Sequence, residues 1–208
     1  IQHEDSYVQR TRESFLVEYD AAKALPVPGG YSFRDQDGQP VELRLMQRFV
    51  ASRLAEESCR GLGNWSVTGT GKTLSAFLAA RHLEVDVTLV LCPASVQRQW
   101  ADKAEEYFKG VYEVRVVERL NEKMLERKDP DKPLVVVVHY NQLSTMKDVV
   151  FEESCMGKFI DQMKPGLIVI DELHALKVRR QADTRGNVEE NPSPDVGPDA
   201  TDGEVKEM

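Results

Sequence analysis

Seven consecutive residues, Val67-Thr68-Gly69-Thr70-Gly71-Lys72-Thr73, combine two glycines, a lysine and a hydroxyl in an order suited to holding phosphate. Gly69 and Gly71 let the backbone curl, so that successive N–H groups aim at phosphate oxygens. Lys72 adds a point charge for the outer phosphates of a nucleotide, and the Thr73 hydroxyl is a hard oxygen ligand for Mg²⁺. The run fits the pattern GxxxxGK[ST] everywhere except its first position, where Ser66 stands for glycine. Serine is small enough for the turn. A second group, Asp171-Glu172, follows the apolar run Leu167-Ile168-Val169-Ile170. In a site of this kind Asp171 would hold the dication through water, and Glu172 would orient or deprotonate the attacking water. Either group alone has a plain reading, a Gly-rich turn or a solvated strand cap. The two together point to chemistry on a triphosphate.

Such residues need a scaffold that delivers them to one place. Short apolar runs at 64–67, 87–92, 112–117, 134–138 and 167–170 alternate with helical patterns at about 72–83, 96–108, 120–127 and 149–163. The run Leu134-Val135-Val136-Val137-Val138 is apolar on both faces, as in strands covered by helices on each side. This alternation predicts an α/β domain with a central, mainly parallel sheet flanked by helices, whose ligands lie at the C-terminal ends of the strands. Upstream, the pattern predicts a helix over 5–25, ended by Pro26 and Pro28, then a hairpin turning at Asp37-Gly38, then a helix over 45–59. Ser95 is a candidate N-cap for the helix after the second strand, and Trp100 falls on that helix's apolar stripe with Val96, Ala104 and Phe108. Trp100 therefore reads as core packing in preference to a base-stacking platform.

The 208 residues carry 27 basic and 35 acidic side chains, a net charge of −8. Residues 187–208 hold seven acids against one base, three prolines and almost no apolar bulk, so this stretch is expected to be a disordered acidic tail. The remainder is near neutral, which predicts modest, salt-sensitive affinity for nucleic acid. Lys177, Arg179, Arg180 and Arg185 form a basic cluster that suits either phosphate contacts or a solvated face. Three cysteines without a CxxC pair argue against a disulfide scaffold or a cysteine zinc site. No apolar run approaches the ~20 residues of a membrane span. The polar start Ile1-Gln2-His3-Glu4-Asp5 is unlike a secretory signal and has no initiator Met, which suggests a longer reading frame. The expected location is the cytoplasm, nucleoid or nucleus.

Asp171-Glu172-Leu173-His174 resembles the DExH motif of the superfamily II helicases and translocases, and three further stretches agree in the right order. Leu43-Arg44-Leu45-Met46-Gln47 is similar to the LRxxQ adenine-recognition motif, and the stretch from Leu91 to Trp100 is similar to motif Ia with its downstream Gln-Trp. The stretch from Val135 to Leu143 resembles the strand and turn that often read TYxxL, and Asp171 to Lys177 is nearest the DEAHxLK form of Swi/Snf-type DNA translocases. The resemblance implies a RecA-like ATP-binding lobe over 43–186, preceded by an extension over 1–42. It implies ATP and Mg²⁺ as cofactors, with Gln47 reading adenine and Arg44 beside it as a stacking or phosphate partner. It implies nucleic-acid backbone contacts at Pro93, Ala94 and Ser95, and a coupling role for His174. The partners it implies are DNA, with RNA as the alternative, and a second RecA-like lobe in cis that supplies an arginine finger. Without that lobe, slow hydrolysis and no stepping along a strand are expected. Two other readings stand beside this one. One is a non-catalytic nucleotide-binding or interaction module on the same fold. The other is a phosphate-loop ATPase of another class, which fits the loop and the acids but not Gln47, the Cys92–Trp100 segment or His174.

Overall fold

The structure is a computed structural model that describes residues 2–67, 69–118, 127–144 and 155–173. These belong to one unit, Ile1–Leu176. Thr68, His174, the basic cluster after it, the helix expected over 120–127 except its last residue, and the acidic tail lie outside the described residues.

Four strands form one sheet: β1 (Val87–Cys92), β2 (Glu113–Val117), β3 (Leu134–His139) and β4 (Leu167–Ile170). Their spatial order is β2-β3-β1-β4, and every pairing is parallel. The register sets Val90 of β1 beside Val137 of β3 and Val169 of β4. β1 is buried along its whole length, and β3 along all but its last residue, because helices cover both faces of the sheet. Alternation divides their side chains between two cores. Val90, Cys92, Val135 and Val137 face α3 (Lys72–His82) and α4 (Gln97–Tyr107), with Leu74, Phe77, Leu78 and Trp100 filling the layer. Leu89, Leu91, Val136 and Val138 face the other way, where Ile160 and Met163 of α6 (Cys155–Met163) pack on them. Each such side chain contributes about 1.5–3 kcal/mol on leaving water. The expected α/β fold, a parallel sheet between helices in the manner of RecA, is therefore the one observed. A four-residue helix, α5 (Asn141–Ser144), follows β3.

The N-terminal extension is built from α1 (Gln2–Ala24), which packs on α2 (Leu45–Leu54) through Phe15 stacked on Phe49, with ring centroids 6.2 Å apart. Arg48 ties down the end of α1, its Nη1 donating to the carbonyls of Lys23 (3.3 Å) and Leu25 (3.0 Å). The expected hairpin shrinks to a single antiparallel bridge between Arg34 and Pro40. Asp35 Oδ1 accepts the N–H groups of Asp37 (3.0 Å) and Gln39 (2.7 Å), reinforcing a turn that backbone bonds of Asp35 to Gln39 (2.9 Å) and Gly38 (3.1 Å) also close. α2 stops at Leu54, short of the expected residue 59.

The strand expected over 64–67 does not form. Trp65 is 87% exposed and Val67 75%, so neither finds the burial a strand of this sheet would give it. Asn64 Oδ1 instead accepts both the N–H (3.2 Å) and the hydroxyl (2.6 Å) of Ser66, a local turn that competes with extended pairing. Ser95 is not the N-cap of α4 either. A 3₁₀ turn over Ala94–Val96 comes first, Val96 occupies the cap position, and no side chain caps the helix.

Candidate nucleotide and nucleic-acid site

The phosphate loop leads into α3 through Gly71, whose φ of 86° and ψ of 36° lie in the left-handed region. Only glycine adopts this routinely. Gly69 also has a left-handed φ, 82°, but among the described residues a Cβ built there meets nothing within 4 Å, whereas one at Gly71 runs into Gln47 Nε2. The loop is thus open at Gly69 and shut against Gln47 at Gly71.

Gln47 is buried, and both ends of its carboxamide are engaged. Its Oε1 accepts the Arg44 N–H at 2.9 Å, one half of a capping box at the start of α2. Its Nε2 donates to the Thr70 carbonyl at 3.3 Å. The residue expected to read adenine is therefore also a brace between α2 and the loop. Arg44 lies at the N-cap of α2 and is exposed.

Lys72 curls back over the loop, its Nζ donating to the carbonyls of Ser66 (2.8 Å) and Val67 (3.3 Å). Both acceptors are neutral, and among the described residues no carboxylate pairs with the ammonium. Its charge is held in place without being cancelled. Thr73 follows, half-buried in the first turn of α3, whose leading N–H groups have no acceptor within the helix. The donor set, a cation, helix N–H groups with no acceptor inside the helix and a glycine bend, fits a polyphosphate.

Asp171 and Glu172 follow β4 directly, at the C-terminal edge of the sheet. The Asp171 N–H continues the ladder to the Leu91 carbonyl at 2.9 Å. Its carboxylate Oδ2 accepts the indole N–H of Trp100 at 2.9 Å, a contact between residues 71 apart in the chain. Glu172 is exposed and has φ 51°, a left-handed conformation that costs a non-glycine residue about 1–3 kcal/mol. Cys92 lies beneath, where burial and then the charge of Asp171 push its thiol up to about 11, so it stays protonated and unreactive at neutral pH. Burial, with smaller contributions from Asp171, Cys92 and Glu172, pushes the Tyr140 phenol up to about 12. Its buried hydroxyl has no hydrogen-bond partner among the described residues.

Topology brings the two halves together. α3 ends at His82 and β1 begins at Val87, so the helix runs back along the sheet and its N-terminus lies toward the strands' C-terminal edge. Phe77 of α3 touches Trp100 (centroids 5.7 Å apart), and Trp100 holds Asp171. Pro93, Ala94 and Ser95 leave β1 at the same edge, Ala94 and Ser95 exposed. Trp100 enters the sequence reading through an apolar stripe and the Gln-Trp pair, and Tyr140 through the stretch that runs on from β3, but neither pattern signals the bond from Trp100 to Asp171 or the buried phenol of Tyr140.

The family model of the type III restriction enzyme res subunit matches residues 40–191, which takes in α2, the phosphate loop, the whole sheet and the acidic pair. The chain belongs to this family. As a member of the res-subunit family it is a superfamily II helicase-type N-terminal lobe, an ATPase domain of the helicase or translocase kind. A curated relative is 26% identical over 113 residues, a SWI/SNF-related matrix-associated actin-dependent regulator of chromatin subfamily A-like protein 1 homolog from Caenorhabditis elegans. That match covers 52% of this chain, and the chain spans 14% of the relative's length. No solved structure matches the chain. Among the described residues no helix is long and apolar enough to cross a membrane.

Proposed function

We infer that this res-subunit lobe binds ATP with Mg²⁺ at the edge shared by the phosphate loop and the acidic pair, and that it works within a DNA-dependent motor. The observation that carries the reading is Lys72, an un-neutralised ammonium over an open, glycine-built loop, on the same sheet edge as Asp171 and Glu172. The backbone of Thr68, Gly69, Thr70 and Gly71 cradles the phosphates. Lys72 leaves the carbonyls of Ser66 and Val67 for the outer phosphates, exchanging neutral acceptors for charged ones. Thr73 and Asp171 hold the metal ion, Asp171 through water. Mg²⁺ when bound supplies charge neutralisation at the phosphates. Glu172 accepts the proton of the attacking water. Gln47 reads the adenine edge by releasing Thr70, the longer of its two bonds, and Arg44 lies beside it. Pro93, Ala94 and Ser95 contact the nucleic-acid backbone, DNA in preference to RNA, and His174 couples the two sites. A second lobe in cis, with its arginine, completes the catalytic set, so hydrolysis by this chain alone is slow.

The test is ATP binding by titration calorimetry. Lys72→Ala removes charge-assisted hydrogen bonds worth about 1.5–3 kcal/mol, or ~10–100-fold in affinity. Equal affinity in the variant and the parent chain would refute the reading.

A further inference from the structure

The bond between Trp100 and Asp171 joins the apolar stripe of α4 to the end of β4. Trp100 is 5% exposed, and its indole N–H is the ring's one polar atom, a donor that must find an acceptor when buried. The acceptor it finds is a carboxylate on the rim of the candidate site. Asp171 is thereby fixed twice, its backbone by Leu91 of β1 and its side chain by the indole. The ring is itself held against Phe77, five residues into the helix that the phosphate loop opens.

We propose that Trp100 is a positioning residue for the divalent metal, orienting Asp171 through its indole N–H; this rests on the nucleotide reading given above. A neutral donor is suited to the task. An ionised carboxylate has about four lone-pair sites on its two oxygens, so a single N–H on Oδ2 fixes its rotation and leaves Oδ1 to accept from a metal-bound water. A lysine or arginine in the same place would fix it equally well and cancel the charge that attracts a dication. Among the described residues none forms an ion pair with Asp171. The link also ties the metal ligand to the phosphate loop, because Trp100 packs between β4's acid and α3.

Trp100→Phe keeps an aromatic ring against Phe77 and deletes the donor. ATP affinity of the 208-residue chain is measured in excess EDTA and across a MgCl₂ series. The variant is expected to bind metal-free ATP as the parent does, and to need about tenfold more Mg²⁺ for half-maximal enhancement, the usual effect of losing a partner behind a metal ligand. In an Asp171→Asn background the same substitution is expected to change the Mg²⁺ dependence no further. A second readout needs no substitution. In ¹⁵N-labelled protein the Trp100 indole N–H resonance is expected to shift when Mg²⁺ joins ATP, relative to ATP in EDTA. An unchanged Mg²⁺ requirement in Trp100→Phe, a penalty undiminished beside Asp171→Asn, or a resonance indifferent to Mg²⁺ overturns the positioning role and leaves nucleotide binding intact. Absence of Mg²⁺-dependent ATP binding in the parent chain overturns both.

Discussion

Gly71→Ala is the sharpest probe of how the phosphate loop is held. At φ 86° an L-residue is strained by about 1–2 kcal/mol. Its new Cβ also runs into Gln47 Nε2, so the carboxamide must move. Gln47 is buried, with its bonds to Arg44 and Thr70 already made, and giving up one or both costs about 0.5–1.5 kcal/mol each. The sum is about 1.5–5 kcal/mol, a large share of the ~5–15 kcal/mol that holds a domain together. For a domain of this size that lowers Tm by roughly 3–20 °C, read by circular dichroism. Gly69→Ala is the internal control, because φ is 82° there but among the described residues a Cβ meets nothing within 4 Å. It should show the backbone strain alone, about half the loss. Combining Gly71→Ala with Gln47→Ala should bring the cost of the glycine substitution down to the Gly69 level. Equal losses at the two glycines, or a Gly71 penalty indifferent to residue 47, would show that the interlock with Gln47 does not hold the loop.

Other outcomes are as specific. Glu172→Gln should leave ATP affinity unchanged and lower the residual single-turnover rate by about 100-fold or more, measured as phosphate release; undiminished hydrolysis would remove Glu172 from the role of base. Glu113 supplies a pH test: burial by itself raises its carboxyl, but the N–H groups of Asp129 and Lys128 and the Arg115 guanidinium outweigh that and hold it below its ordinary 4.5. A lowered folded-state value means that the stabilisation is present above pH 4.5 and fades as pH falls through the folded value. Urea unfolding should therefore show Glu113→Gln destabilised by about 1.5–3 kcal/mol at pH 7, with the gap to the parent closing below pH 4.5. A gap independent of pH would mean that shape, not charge, matters at this position.

The parts legible in the sequence are those where one local pattern has one physical outcome. The unbroken run from Leu134 to Val138 has no polar face to show to water, so it had to be a strand covered on both sides, and it is. The double-glycine loop before Lys72 required left-handed backbone, and Gly69 and Gly71 supply it. The parts that were not legible depend on neighbours distant in the chain. Trp65 and Val67 alternate as a strand would, but alternation cannot reveal whether a partner strand lies alongside, and both side chains stand in water. The bracing role of Gln47 is not legible because nothing within a turn of it foretells Thr70, 23 residues on. Trp100 reads as core and is buried, yet nothing local to its indole N–H hints at an acceptor 71 residues away. Ser95 had the chemistry of a cap, but the chain tightens into a 3₁₀ turn after Pro93 and moves the helix start past it.

The parallel arrangement has a kinetic implication. β4 joins the sheet by pairing Thr88 with Leu167, after the chain has passed through β2, β3 and α6. Until that late, entropically costly closure, the loop and the acids ride on separate pieces of a collapsing polypeptide. Until β4 has paired, nucleotide therefore has no complete seat to recognise. Added to a refolding mixture, it should leave the folding rate unaltered and act afterwards, drawing finished molecules out of the equilibrium by mass action.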